Sequence, residues 1–574
     1  MTLTLDSDDF QHAKAEFKRI WGYNDFRSPQ GEIIQTLLTG RDALVVMPTG
    51  GGKSICFQLP ALLQGGLTLV ISPLVALMEN QVAELRQKQL AAATLHSQIP
   101  KSQRQQTLQA LAQGRLNLLY LSPETLFSES VWDRLLQPEI TVRGLILDEA
   151  HCLVQWGDTF RPAYRRLGSV RPVLQQHQVE PLAIAAFTAT ADRATQDTLC
   201  RALQLRNPQK FLLNPYRPNL TLRVQCTWSP RQRWETVHHY ILKQALQQTQ
   251  PAHTKQAQTQ PAQTQTVGHL NLAQGDRALA GSDRPQPDRT GSRYARSDRP
   301  QLDRPQPDRP NPQHTPPHQR TPSGLVYVRT RKDSEQLAQR LQRLGHKTCA
   351  YHGGLTAGER REIEAQWMAD ELPFVVSTNA FGMGVNKPNV RWVVHYQVPL
   401  LLAEYIQEVG RAGRDGQGAE ALALVSEPTG WLDPSDRQRW QFFQSQQQKQ
   451  YQAALKLAPK IPQQGRLETV IQQFPQAEIA LGVLHSLDRL QWSDPFTYRL
   501  LQPPSGSPQS AAKTPPATWN PSQAMAHYLH SPQCRWTHLL QAFGFRPDRP
   551  RCGHCDNCLG QGHPRLPLLF QTNR

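Results

Sequence analysis

Two groups of short apolar runs, separated by stretches of helical pattern, constrain the fold of this chain most. The first group covers residues 43–47, 67–71, 116–121, 143–148 and 182–187. The second group covers residues 324–328, 347–351, 373–377, 391–396 and 420–425. Strands that are apolar on both faces and alternate with helices form parallel sheets covered on both sides. The sequence therefore predicts two tandem α/β lobes, each built on a parallel sheet.

The composition changes abruptly between the two groups. Residues 247–322 hold one aromatic side chain, Tyr294, no Ile, Phe, Cys or Glu, and repeated Asp-Arg-Pro units. Because such a segment buries too little apolar surface to offset the entropy of ordering it, we expect a disordered insertion. It can serve as a tether or docking site, or be an inert insertion that the fold tolerates.

The stretch MPTGGGKS (47–54) follows an apolar run and precedes a helical pattern, the context that distinguishes a phosphate-binding loop from a chance match. Its glycines let backbone N–H groups converge on a phosphate without interference from Cβ atoms. Lys53 can reach the β- and γ-phosphates of ATP, and Ser54 can ligate Mg²⁺. We assign nucleotide binding to Thr49, Gly50, Gly51, Gly52, Lys53 and Ser54.

Two further motifs complete a site for nucleotide hydrolysis. Asp148 and Glu149 end an apolar strand, where the first can hold Mg²⁺ and the second can act as general base towards water. In EYIQEVGRAGRDG (404–416), Arg411 and Arg414 are about one helical turn apart, so both can reach a γ-phosphate across a cleft. Read in isolation, this second motif also fits a solvated basic helix end.

The charge balance suits a polyanionic partner. The chain has 63 Lys and Arg against 46 Asp and Glu, a formal net charge of +17. Basic side chains that neutralise the phosphates of a nucleic acid release its condensed counterions, which favours binding. Composition alone also fits a basic protein without such a partner. The sequence has neither a run of 18 apolar residues nor the pattern of a secretion signal, so we expect an intracellular, cytoplasmic protein with no membrane partner.

The motifs in this order resemble those of superfamily-two helicases, and in detail they are similar to the RecQ family of ATP-dependent DNA helicases. The resemblance implies two RecA-like P-loop lobes, Gln407 as part of the nucleotide site, and a Gln30 that reads the adenine edge with Arg27 beside it. It covers residues 20–225, 323–425 and the tail. The matching stretches are WGYNDFRSPQGEIIQTLLTGRDALVVMPTGGGKS (21–54), ISPLVALMENQV (71–82), YLSPETL (120–126), FTATAD (187–192), YHGGL (351–355) and AFGMGVNKPNV (380–390).

The loop at residues 152–167 corresponds to the one that couples single-stranded DNA to hydrolysis in this family. The resemblance implies that Trp156 and Phe160 stack on bases and that Arg161 senses phosphate or pairs with the acidic motif. Taken alone, two aromatic residues near a lobe interface are better explained by core packing. The family usually has His-Asp where this chain has Asp158-Thr159, so we expect altered coupling.

Four cysteines near the end have the spacing C-x17-C-x2-C-x2-C, which suits a tetrahedral Zn²⁺ site in a reducing compartment. Their surroundings resemble the RecQ zinc-binding subdomain, so the Zn²⁺ is expected to be structural. His554 can replace one ligand, but four sulfurs suffice. The remaining cysteines are expected to be ordinary buried thiols. The predicted ligands are Cys534, Cys552, Cys555 and Cys558.

In RecQ proteins a winged-helix domain and a further nucleic-acid-binding module usually follow the zinc module. Only 16 residues follow Cys558, so we expect a short form that lacks both. Within residues 465–502, a helix, a turn at Pro475, an amphipathic helix over 476–488 and two strands predict a small winged helix. We expect its wing to contact duplex DNA, although a plain helical packing module fits nearly as well.

The predicted organisation has seven parts. They are a first lobe at 1–225, the start of a connection at 226–246, the insertion at 247–322, a second lobe at 323–426, a helical or winged-helix segment at 427–502, a linker at 503–522 and a zinc-binding subdomain with tail at 523–574.

The resemblance implies an ATP-dependent DNA helicase, monomeric, that moves 3′ to 5′ on single-stranded DNA and unwinds duplexes in DNA repair and recombination. An RNA helicase is one alternative, against which the coupling loop and the zinc tail argue. A non-enzymatic DNA-binding scaffold is another, against which the complete set of hydrolytic residues argues. A single-strand translocase with weak unwinding is the third.

Overall fold

The computed structural model describes residues 7–48, 50–156, 161–249, 322–381, 387–427, 429–501 and 522–561. Among these residues, no helix is both long enough and apolar enough to cross a membrane. Outside the described ranges lie most of the predicted insertion and linker, and Thr49, Asp158, Thr159 and Phe160.

Seven strands form the sheet of the first lobe. They are β1 (Ala43–Val46), β2 (Leu67–Ile71), β3 (Ala92–Leu95), β4 (Leu118–Leu121), β5 (Val142–Leu147), β6 (Ala183–Thr188) and β7 (Gln209–Leu212). All neighbours are parallel, in the order β3-β4-β2-β5-β6-β1-β7. The five predicted strands form the interior of this sheet, and β3 and β7, which the apolar runs did not reveal, flank them.

Helices cover both faces of this sheet. They are α1 (Ser7–Trp21), α2 (Gln30–Leu38), α3 (Lys53–Leu63), α4 (Val75–Gln87), α5 (Lys101–Ala112), α6 (Pro123–Leu126), α7 (Glu129–Leu135), α8 (His151–Trp156), α9 (Val170–His177) and α10 (Arg193–Ala202), with a 3₁₀ helix at Pro162–Ser169. Successive strand residues point to opposite faces. Leu44 and Leu69 therefore pack in one core, while Val45 and Val70 pack in the other.

The second lobe has a six-stranded parallel sheet. Its strands are β8 (Leu220–Thr227), β9 (Ser323–Tyr327), β10 (Ala350–Tyr351), β11 (Phe374–Ser377), β12 (Val390–His395) and β13 (Ala419–Ser426), in the order β10-β11-β9-β12-β13-β8. Its helices are α11 (Pro230–Thr249), α12 (Arg331–Arg343), α13 (Ala357–Met368) and α14 (Leu402–Val409).

The predicted lobe boundary at residue 225 is wrong. Strand β8 pairs with β13 along its whole length, so it completes the second sheet. Helix α11, predicted to begin a connection at 226–246, packs Trp234 and Val237 against strands of the second lobe. The alternation of buried and half-buried residues in β8 is typical of an edge strand and differs from the apolar runs of the interior strands.

A small module follows the second lobe. It consists of α15 (Ser435–Leu457), a 3₁₀ turn at Ala458–Lys460, β14 (Gln464–Arg466), α16 (Leu467–Gln473), α17 (Ala477–Ser486), β15 (Leu490–Asp494) and β16 (Thr497–Leu500). The strands form an antiparallel sheet in the order β14-β16-β15. Helix, strand, two helices and a hairpin in this order make the predicted winged helix, and residues 435–500 are called the winged module below.

The described part of the chain ends in the cysteine-bearing module. It contains α18 (Ser522–His530) and α19 (Arg535–Ala542). Trp536 Nε1 donates to Leu220 O over 3.0 Å, and Asp556 accepts from the Val224 N–H over 3.0 Å. These bonds cover the outer edge of β8, which would otherwise present free backbone groups to other chains.

Candidate active site

The phosphate loop turns sharply between β1 and α3. Gly52 has a φ of +80° and caps the N-terminus of α3, a left-handed conformation that glycine adopts without strain. A Cβ atom at Gly52 would also collide with the side-chain amide of Gln30. The loop therefore requires glycine here, and it delivers the N-terminus of α3 to a position suited to phosphate binding.

Gln30 ties the segment before β1 to this loop. Its Nε2 donates to Gly51 O over 3.0 Å, and its Oε1 accepts from the Arg27 N–H over 2.9 Å. Gln30 is buried, and both Gln30 and Arg27 line the cavity beside the loop. Gln30, predicted to read the adenine edge, and Arg27 beside it thus lie next to the predicted phosphate site.

The acidic pair follows β5 and faces the loop lysine. Lys53 Nζ lies 3.4 Å from Glu149 Oε1, with Glu149 buried and the Lys53 side chain 11% exposed. Burial, together with the neighbouring Glu149 carboxylate, raises the pKa of Asp148. Burial also opposes the ionisation of Glu149, but the charges of Lys53 and His151 outweigh it, so the pKa of Glu149 is lowered. Adjacent carboxyl groups whose pKa values move apart can serve different chemical functions.

Glu149 is held in a strained backbone conformation. Its φ is +50°, in the left-handed region, which for a residue other than glycine costs roughly 1–3 kcal/mol. Its N–H donates to Asp148 Oδ1 over 3.0 Å, and its Oε2 lies 3.3 Å from His151 Nδ1. The same His151 nitrogen lies 3.0 Å from Thr188 Oγ1 at the end of β6. The acidic motif is thereby fixed to the neighbouring strand as well as to the phosphate loop.

Three side chains of the second lobe close the same cavity, whose volume is about 400 Å³. They are Gln407 in α14, and Arg411 and Arg414 just beyond it. Burial and repulsion from Arg411 lower the pKa of Arg414 to about 9. An anion in the cavity would relieve that repulsion. Both lobes therefore contribute charged groups to one site.

Aromatic side chains line one wall of this cavity, and the sequence motifs did not predict them. Phe17, Trp21 and Tyr23 line it. The Phe17 ring lies 5.6 Å from the Tyr23 ring and 4.7 Å from the Phe26 ring, while Tyr23 remains half exposed. The signal was the density of aromatic residues in WGYNDF (21–26), which marks a surface against which a planar base can pack.

Of the three predicted coupling residues, Arg161 is the one whose side chain the structure describes. Phe160 lies outside the described residues, and Trp156 is described only as the last residue of α8. Arg161 Nη1 donates to Pro73 O over 2.8 Å, and its Nε lies 3.5 Å from the Glu124 carboxylate. The suggested pairing of Arg161 with the acidic motif is wrong, because its ion-pair partner is Glu124. Arg161 instead joins the loops that follow β2 and β4.

The four predicted zinc ligands converge. Their Sγ atoms all lie within 4.8 Å of one another, as a tetrahedral Zn²⁺ site requires. Backbone N–H groups point at the sulfurs, as where Cys552 N donates to Cys534 Sγ over 3.2 Å. His554 lies outside the cluster, and its Nε2 is 3.2 Å from the Tyr216 hydroxyl. The donor set that fits Zn²⁺ is therefore Cys534, Cys552, Cys555 and Cys558.

The tip of the predicted wing is covered by the first lobe. Pro495, between β15 and β16, is buried, and the Phe496 ring lies 5.6 Å from Trp132 and 6.2 Å from Phe127. Both rings meet Phe496 edge to face. The apolar tip is therefore packed against protein, which disfavours the predicted contact of the wing with duplex DNA.

Comparisons with known proteins agree with this architecture. Residues 27–198 match the DEAD/DEAH box helicase family, residues 315–416 match the helicase conserved C-terminal domain, and residues 506–559 match the RecQ zinc-binding family. The solved structure of the DEAD-box helicase Mss116 bound to ssRNA and UDP-BeF is 15% identical, with a TM-score of 0.51 over 86% of this chain and 93% of that one. The fold and the site define a two-lobed helicase of the DEAD/DEAH-box class.

The relatives specify the family within this class. An ATP-dependent DNA helicase RecQ from Synechocystis sp. is 45% identical over 96% of this chain and 99% of its own length. Another from Haemophilus influenzae is 33% identical over 73% of this chain, but the match spans 54% of that relative. The chain belongs to the RecQ family.

Proposed function

We propose that this protein is an ATP-dependent DNA helicase that moves 3′ to 5′ along single-stranded DNA and separates duplexes in DNA repair and recombination. The observation that carries the proposal is that Arg411 and Arg414 of one lobe share a cavity with Lys53 and Glu149 of the other. A nucleotide bound there draws the lobes together, and its hydrolysis releases them. The names of the relatives, ATP-dependent DNA helicase RecQ, support DNA as the track.

The position of each side chain supports a particular function in hydrolysis. Lys53 offsets the charge of the terminal phosphates, and Glu149 accepts a proton from the attacking water. Arg411 and Arg414 stabilise the negative charge that develops on the transferred phosphoryl group.

The donor atoms beside the loop suit a magnesium ion. Ser54 lines the cavity with Asp148, and its Oγ accepts from Gln81 Nε2 over 3.3 Å. These hydroxyl and carboxylate oxygens are ligands that Mg²⁺ prefers, and when bound it neutralises phosphate charge. Gln30 and Arg27 hold the base end of the nucleotide in this proposal.

The proposal includes action as a monomer inside the cell. One chain supplies both walls of the cavity, so the site is complete without a second copy. None of the nine cysteines forms a disulfide, which suits a reducing compartment.

A translocase with weak unwinding is the second candidate. The packing of Phe496 against Trp132 favours it, because a covered wing tip is not free to separate base pairs. Both candidates require ATP hydrolysis stimulated by single-stranded DNA, and they differ in the yield of separated strands.

One experiment tests both candidates. ATP hydrolysis is measured with and without single-stranded DNA, alongside unwinding of duplexes that carry a 3′ or a 5′ overhang. Stimulation with unwinding from the 3′ overhang alone supports the helicase. Stimulation without unwinding supports the translocase. Equal stimulation by RNA of the same sequence would contradict DNA specificity, and K53A provides the inactive control.

A further inference from the structure

Helix-turn-helix proteins commonly contact DNA through a recognition helix and a hairpin. In the winged module both of these surfaces face the first lobe. Its second helix after β14, α17, is the counterpart of a recognition helix. Helix α17 and strand β15 both pack on the 3₁₀ helix Pro162–Ser169 of the first lobe. The recognition helix and the hairpin are therefore engaged with protein.

A buried arginine holds this interface together. Arg166, in the 3₁₀ helix, is 7% exposed. Its Nη2 lies 3.0 Å from the Glu478 carboxylate of α17, and its Nη1 donates to Pro495 O over 3.2 Å. Its guanidinium also lies 4.7 Å from the centre of the Phe127 ring. Because removing one partner of a buried charge is costly, we expect the loss of these contacts to weaken docking.

The docked hairpin reaches the elements that hold Arg161. Phe127, which contacts Phe496, directly follows α6, and α6 carries Glu124, the ion-pair partner of Arg161. The 3₁₀ helix that contains Arg166 begins directly after Arg161. Both sides of the Arg161–Glu124 pair are thus attached to segments that the winged module covers.

We propose that the winged module is a positioning element for the first lobe, with Phe496 and Glu478 as positioning residues that fix the Arg161–Glu124 pair. The module contacts the second lobe through α15, which packs on β13, and the first lobe through α17 and β15, which pack on the 3₁₀ helix that follows Arg161. Docking keeps this face in the geometry that lets single-stranded DNA stimulate hydrolysis. The inference rests on the proposed DNA-stimulated ATPase and deepens it by assigning the module to stimulation and not to parting of the duplex.

The test is a titration of ATPase activity with single-stranded DNA in F496A and E478Q. Loss of docking should raise the DNA concentration for half-maximal stimulation by about fivefold or more, a typical coupling between sites. Basal hydrolysis and the KM for ATP should stay unchanged, because neither residue lines the nucleotide cavity. F496L keeps an apolar side chain in the same place and should restore most of the stimulation.

A matched control lies at the edge of the same interface. Arg201 and Asp488 form an ion pair of 3.4 Å in which both side chains are more than 60% exposed, and such pairs contribute little. D488N should therefore behave like the unaltered protein. Thermal denaturation shows whether each variant folds. If F496A does not fold, the measurements on E478Q alone test the proposal.

Two outcomes would overturn the positioning proposal. One is full DNA stimulation in both F496A and E478Q. The other is tighter duplex binding or faster unwinding in F496A, which would mean that the module works after it leaves the first lobe. Failure of the proposed function itself is distinguishable, because then the unaltered protein would show no stimulation by DNA.

Discussion

The hydroxyl groups of Tyr405 and Tyr528 lie 3.2 Å apart, and both residues are fully buried. Tyr405 belongs to α14, which leads to the arginines of the cavity, and Tyr528 belongs to α18 of the zinc-binding module. Their rings pack with centroids 5.1 Å apart. The zinc-binding module thus supports the helix that precedes Arg411.

Removal of the hydroxyl donor in Y528F should lower the free energy of unfolding by about 1–2 kcal/mol, because the Tyr405 hydroxyl is left buried without this partner. We also expect a lower maximal ATPase rate with little change in the KM for ATP. Urea denaturation and steady-state kinetics measure the two effects. F442A, which removes an exposed ring, is the control. An unchanged denaturation midpoint in Y528F would contradict this prediction.

Loss of zinc should destabilise the second lobe, because Trp536 and Asp556 hold the outer edge of β8. We expect C555S to lose bound metal and to unfold at a lower temperature. H554A should keep its metal, because His554 lies outside the sulfur cluster and contacts Tyr216. Metal content and thermal denaturation of the two variants check this. Equal metal loss in both would show that the histidine is a ligand.

Substitution of the cross-lobe arginine in R411A should reduce DNA-stimulated ATP turnover by about 10³-fold, the lower range for an arginine finger. ATP binding should change far less, because Lys53 and the phosphate loop remain. R411K keeps the charge but not the bidentate geometry, so it should stay impaired. R343A, on the exposed face of α12, is the control. Near-normal turnover in R411A would remove Arg411 from catalysis.

Stability should depend on pH through Glu404. Burial and the nearby Glu408 outweigh Arg329, 4.0 Å away, and raise the pKa of Glu404 to about 7. A raised pKa means that the folded state binds the proton more tightly, so this contribution is present at low pH and is lost as the pH rises from about 4.5 through about 7.

E404Q removes this titration, since its amide stays neutral. At pH 8 we expect a higher melting temperature than for the unaltered protein, by about 2–4 °C for each 1 kcal/mol gained, and near equality at pH 4.5. Thermal denaturation across this range measures the difference. A constant offset at all pH values would exclude Glu404 as its source.

The sequence predicted the features that short contiguous motifs carry. Lys53, Glu149 and Arg411 were assigned from their immediate neighbours, and the structure brings all three to one cavity. The sequence could not predict the ion-pair partner of Arg166, because that partner, Glu478, is 312 positions away along the chain. The membership of β8 in the second sheet was missed for the same reason, since its pairing partner β13 follows the insertion.

The placement of β8 also has a consequence for the chain as it leaves the ribosome. Nearly two hundred residues separate Thr227 from Ala419, where the partner strand begins. At roughly 5–20 residues per second, translation leaves β8 unpaired for roughly 10–40 s. During that interval its backbone is open to any extended chain nearby. Polar residues alternate with apolar ones in LTLRVQCT (220–227), a pattern that we expect to make the unpaired strand less prone to aggregation than a wholly apolar strand would be.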